Sequence, residues 1–264
     1  MHLIRLTTLT LCLAGAGCAQ AITPPKTSPA PPASEALIVL PGFGYSRSGE
    51  RALKALAPTM AAAGLDLYVP DYVSRKGLFD SRQRLVRFLQ DARLERYDRV
   101  HVFAFIAGGW TLNRIVDDYP LSNLTSVIYD RSPYQERAPR IAQERLPILT
   151  WFRYGSAVSD IARAFYIPFL TSKVRVGLMV ETKPTGFVRR FAKAADRKGP
   201  YQFACDAFAQ PHDDCMYVAL NHTELYTHFA ELWPDVQAFI QGSRFTSTAN
   251  RRAPAGPMRL TIGN

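Results

Sequence analysis

Cys205 and Cys215 are the residues whose chemistry is read most directly. They form an even pair in a chain that the N-terminus, described below, directs to an oxidising compartment, where a disulfide is the natural outcome and two buried thiols the alternative. The closed loop of about eleven residues gives roughly 2.8 kcal/mol on the chain-entropy argument. His212, Asp213 and Asp214 beside them resemble a metal cluster at first sight. Adjacent carboxylates do not easily face one ion, and the disulfide already accounts for the loop, so neither metal nor cofactor is expected. Serines in loops, Ser46, Ser48 and Ser132, are candidate nucleophiles, although serine is equally at home there as a turn former.

Such groups need a frame, and the hydrophobic pattern supplies one. Ala36–Leu40 is a continuous apolar run that stops at Pro41-Gly-Phe-Gly44, as a buried strand does. A helix is predicted over Gly49–Ala63, a strand over Leu65–Val69 and a helix over Phe79–Arg93. Strands at Arg99–Phe105, Leu124–Tyr129, Val174–Val180 and Met216–Leu220 alternate with helices at Ala107–Tyr119, Phe187–Ala195 and Thr223–Ile240. Alternation of this kind implies an α/β domain with a mostly parallel sheet flanked by helices, and ligands at the carboxyl ends of the strands. The stretch 132–172 breaks the alternation with arginines among Ile148, Trp151, Phe152 and Phe165, and reads as an inserted helical lid. Its aromatic and basic side chains face either lipid or an acyl ligand, or they pack over the sheet with arginines in water.

The N-terminus carries export signals. Arg5 precedes an apolar run, Leu6–Leu13, and small residues lead to Cys18, so residues 1–18 read as a signal peptide with a lipobox-like end. Acylation of Cys18 places the chain at the membrane, facing the periplasm; the rival is cleavage after Ala19-Gln20-Ala21, giving a soluble periplasmic protein. Residues 19–35 are a proline-rich tether expected not to pack, 36–241 the folded domain, and 242–264 a flexible basic tail. The chain has 264 residues, 47% hydrophobic and 20% charged, with a formal net charge of +10. That balance belongs to a soluble globular domain, and the scattered positive charge matches no nucleic-acid module.

Three segments together resemble the α/β-hydrolase superfamily: Leu37-Ile-Val-Leu-Pro-Gly-Phe-Gly44, His101-Val-Phe-Ala-Phe-Ile-Ala-Gly-Gly-Trp110 and Asn221-His-Thr-Glu-Leu-Tyr226. Their order covers the domain from Ala36 to Ile240. The resemblance implies a nucleophile elbow, GxSxG, at Ala104-Phe-Ile106-Ala-Gly108. Ile106 then stands in the nucleophile position, and a hydrocarbon has no proton to lose and no lone pair to attack with. Ala104 replaces the leading glycine, so the strained turn is expected to have relaxed. The resemblance also places oxyanion-hole N–H groups at Phe43 and Ala107, the family's histidine at His222, and its acid at either Asp130 or Glu181. His222 is alternatively a structural histidine bonded to a loop.

Three functions follow from these expectations. The first is a non-catalytic lipoprotein of the envelope that binds an apolar ligand or partner in a cleft lined by Ile106, Phe43, Phe105 and lid aromatics. A second is an active esterase or acyl hydrolase with a displaced nucleophile such as Ser132. The third is a basic scaffold docked on an anionic envelope polymer, with the cleft unused.

Overall fold

A computed structural model describes residues 22, 34–116, 119–169, 173–256 and 258–261. The expected signal segment with Cys18, and all of the tether before Ser34 except Ile22, lie outside the described residues. Six strands form one parallel sheet in the order β2-β1-β3-β4-β5-β6: β1 (Glu35–Leu40), β2 (Leu65–Tyr68), β3 (Arg99–Ala104), β4 (Leu124–Arg131), β5 (Arg175–Glu181) and β6 (Asp214–Val218). Helices cover both faces, so strand residues are apolar in both alternating sets. In β1, Ala36, Ile38 and Leu40 enter one core, with Leu85 and Leu89 of α2 (Leu78–Asp91) and Leu112 of α3 (Ile106–Leu112). Leu37 and Val39 enter the other, with Leu53 and Met60 of α1 (Arg47–Ala62).

Between β4 and β5 the predicted insertion is helical: α4 (Ala138–Arg145), α5 (Pro147–Tyr154) and α6 (Ala157–Arg163). Pro147 opens α5, where its missing N–H costs nothing, and Gly155 closes it at φ 61°. The insertion is tied down. Ser156 N–H donates to the Arg75 carbonyl at 2.9 Å, and Leu78 N–H to Asp160 Oδ2 at 2.9 Å. Arg131, buried at the end of β4, forms a two-point ion pair with Glu136 and lies over the Tyr166 ring at 4.2 Å.

Two predicted helices are divided. The one expected over Phe187–Ala195 is α7 (Gly186–Arg190) and α8 (Ala192–Asp196), and the last is α9 (His222–Thr227) and α10 (Phe229–Gly242). An Asn221–Glu224 capping box starts α9, and the His228 N–H and imidazole both turn onto the Glu224 carbonyl where it ends. Cys205 and Cys215 are bonded, S–S 2.07 Å. Asp213 and Asp214 are used structurally, accepting from the N–H groups of Val176 and Phe245.

Two sequence expectations are corrected. Ile22, within the tether expected not to pack, is buried and exchanges two 2.8 Å backbone hydrogen bonds with Val69. The tail expected to be mobile is anchored along the domain through residue 261. Phe245 is buried against Phe239, Tyr217 N–H donates to the Asn250 carbonyl at 2.8 Å, and Asp196 accepts from the N–H groups of Leu260 and Thr261. Isolated anchors, some from side chains and some from backbone, hold it, and these leave no periodic signal.

Candidate functional site

Parallel strands in register bring their carboxyl ends together, and the three titratable candidates lie there. Asp130 is one residue from the end of β4, Glu181 ends β5, and His222 begins α9 just after β6. The sequence left two acids as alternatives; the structure brings both to one nitrogen. His222 Nδ1 is 2.9 Å from Glu181 Oε1 and 3.2 Å from Asp130 Oδ2. Nδ1 carries one proton, bonded to Glu181, so Asp130 acts on the ring as a charge. Both carboxylates are fully buried, and Asp130 Oδ1 and Glu181 Oε2 have no hydrogen-bond partner among the described residues.

The electrostatics follow. Burial first, and then repulsion from Asp130, push the Glu181 carboxyl up to about 8. Burial alone would lower His222, but the Glu181 charge and hydrogen bond, with Asp130 beside them, outweigh it and lift the imidazole to about 10. Near neutral pH Glu181 is therefore held toward its acid form and His222 toward imidazolium. A general base must be unprotonated to accept a proton, and this ring is already charged. The three ligand atoms lie within 4.8 Å of one another, close enough for a metal ion.

Ile106 is the first residue of α3, buried beneath the insertion with Ala107, Trp110 and Ile161 and flanked by Phe43 and Tyr166. The only described non-glycine residues at positive φ are Arg93 and Ser243, so Ile106, which the resemblance aligns with the elbow, has ordinary backbone. Gly108 shows why the last glycine of the pattern stays: a Cβ there would lie 2.4 Å from the Leu40 carbonyl oxygen. Over this point the cavity lined by Phe43, Leu78, Ala107 and Ile161 holds about 10 Å³, room for one water. The lid is shut.

Phe105, expected in the cleft, is instead buried in the core and stacked on Tyr226, ring centroids 3.9 Å apart. Tyr226 is a site residue that the sequence reading missed. Its hydroxyl accepts the Gly42 N–H at 2.7 Å, beside the backbone proposed for the oxyanion hole. The available signal was its place one helical turn after His222, which puts both side chains on one face. Ser132 is fully buried and its Oγ accepts from Gln135 N–H at 3.2 Å, while Ser46 and Ser48 bond each other at 2.7 Å. No serine hydroxyl among the described residues hydrogen-bonds to His222.

No protein-family model matches the sequence, and no curated protein is found similar to it. Solved structures do resemble it. Juvenile hormone epoxide hydrolase from the silkworm Bombyx mori aligns with a TM-score of 0.52 at 12% identity, covering 85% of this chain and 73% of that one. Alpha/beta hydrolase domain-containing protein 10 from mouse gives 0.49 at 11% identity, over 84% and 93%. An esterase from Pyrococcus furiosus gives 0.44 at 15%, over 79% and 81%. With six parallel strands, helices on both faces and a histidine meeting two carboxylates at the strand ends, the chain has the α/β-hydrolase fold.

Proposed function

We propose that this chain is a non-catalytic hydrolase-fold protein of the bacterial cell envelope, anchored through an acylated Cys18, that binds an apolar ligand or partner with its converted cleft. The observation that carries the reading is Ile106 at the elbow, in relaxed backbone and packed under a closed insertion. The protonated His222 and the Tyr226 hydroxyl on Gly42 N–H support it from the other side of the site. Drug-sized ligands occupy about 300 Å³ or more, so admission requires α4–α6 to lift from Arg75 and Leu78. Cys18→Ala is the variant for the anchor, with metabolic palmitate labelling as the readout.

Two chains test the loss of catalysis, the wild type and Ile106→Ser. Neither is expected to label with a fluorophosphonate or to turn over esters of any acyl length. Serine at the start of a relaxed helix lacks the projection of a strained elbow, and the closed space admits no acyl group. Replacing the buried isoleucine should also lower stability by about 2–4 kcal/mol in urea denaturation. His222-dependent hydrolysis by the wild type would favour a second reading, an active acyl hydrolase with a displaced serine. The retained Asp130, Glu181 and His222 are what support that reading.

A further inference from the structure

Helix α5 is amphipathic in the wrong direction for a water-soluble surface. At 100° per residue, Ile148, Leu149, Trp151 and Phe152 share one face, and they are 71%, 46%, 61% and 64% exposed. The opposite side carries Thr150, which is buried and bonds its hydroxyl back to the Ala142 carbonyl at 3.3 Å. Apolar area outward and polar atoms inward costs free energy in water unless something covers it. Among the described residues nothing does.

The surroundings indicate what would. The Arg75 guanidinium bonds the Phe152 carbonyl, and the Arg114 guanidinium bonds that of Phe165, the most exposed large apolar side chain described. Arg82 donates to the Arg114 carbonyl at 2.8 Å and lines, with Phe79, Val86, Arg87 and Ile115, an adjoining groove of about 460 Å³. Segments 75–87 and 140–167 together hold nine basic and three acidic residues. All three acids are engaged: Asp160 caps Leu78 N–H, Glu144 pairs with Lys198, and Asp80 pairs with Arg84 at 2.7 Å. Arg145, which ends α4, and Arg153, in the last turn of α5, are exposed.

We propose that this face docks on an anionic phospholipid bilayer, with Ile148, Trp151 and Phe152 entering the acyl boundary and the arginines at the level of the phosphates. Aromatic and aliphatic side chains in a ring of arginines suit the membrane interface, where apolar insertion and charge attraction add. No described helix is long and apolar enough to cross a membrane, so the contact is peripheral. Docking in this way does not depend on loss of the nucleophile, and it adds to any N-terminal anchor a defined orientation of the insertion against lipid.

Trp151 is a built-in probe. The other two tryptophans, Trp110 and Trp233, are 8% and 5% exposed. The full chain carrying Cys18→Ala, which cannot be acylated there, is mixed with vesicles whose acyl chains are brominated. One set is phosphatidylcholine and the other contains phosphatidylglycerol as well. Quenching of tryptophan emission is expected with phosphatidylglycerol only, and it should vanish in Trp151→Phe. Arg145→Gln and Arg153→Gln should each weaken binding about fivefold. Ile148→Ser with Phe152→Ser, at exposed positions that leave the fold intact, should abolish quenching. Binding with Trp151 unquenched, equal quenching on both vesicles, or no binding to either would overturn the proposal.

Discussion

Gly108→Ala lowers the stability of the chain by about 3 kcal/mol or more, although it adds a single methyl group. The methyl would lie 2.4 Å from the Leu40 carbonyl oxygen and 2.8 Å from Leu40 Cβ. Leu40 belongs to β1, held between β2 and β3 by continuous parallel pairing, so the obstructing oxygen cannot swing aside as a side chain would. Either α3 moves off the sheet or the strand bends. Both loosen the packing of Ile106 and Ala107. Gly186→Ala, at the start of α7 with nothing within 4 Å of the added carbon, is the control and should be neutral or slightly stabilising. Urea denaturation followed by circular dichroism measures both; a Gly108→Ala midpoint equal to that of the wild type would contradict the close contact.

The second large effect is on pH. Glu181 and His222 both have folded-state values above those of the unfolded chain, about 8 against 4.5 and about 10 against 6.5. The folded chain therefore binds more protons, and stability falls as pH rises. The Glu181 contribution is fully present below 4.5 and lost by about 8; the His222 contribution is fully present below 6.5 and lost by about 10. Between 6.5 and 8 the two losses overlap, each with a slope of up to roughly 1.4 kcal/mol per pH unit. Denaturant midpoints should drop steeply from pH 6 to pH 9. Glu181→Gln, which keeps an acceptor for His222 Nδ1 but cannot ionise, should remove the earlier part of the fall. A wild-type midpoint that is flat or rises over this range would show that Glu181 and His222 are not raised as described.

The strands were legible because a buried parallel strand leaves a short apolar run closed by Pro, Gly or a polar turn, as Ala36–Leu40 and Arg99–Phe105 do. The resemblance to α/β hydrolases then pointed to Asp130, Glu181 and His222 at or after the ends of those runs. The choice between the two acids was beyond the sequence, since it depends on where one imidazole nitrogen points. Closure of the insertion was equally hidden. It rests on contacts far apart in the chain, Arg75 to Ser156 and Leu78 to Asp160, that no local pattern records. Tyr226 escaped notice because its aromatic ring reads as ordinary core, while its hydroxyl acts at Gly42, 184 residues away.

The anchored C-terminal segment has a consequence for association. β6 is the last strand of the sheet, and among the described residues no further strand pairs with its far side. An open sheet edge offers unpaired N–H and C=O groups to a neighbouring chain and is a template for aggregation. Asn250 takes the Tyr217 N–H, and Arg251 takes the Cys215 carbonyl at 2.7 Å, so the segment after Gly242 shields the edge without becoming a strand itself. The stretch that resembles a dispensable tail is in this respect a guard over one open border of the sheet.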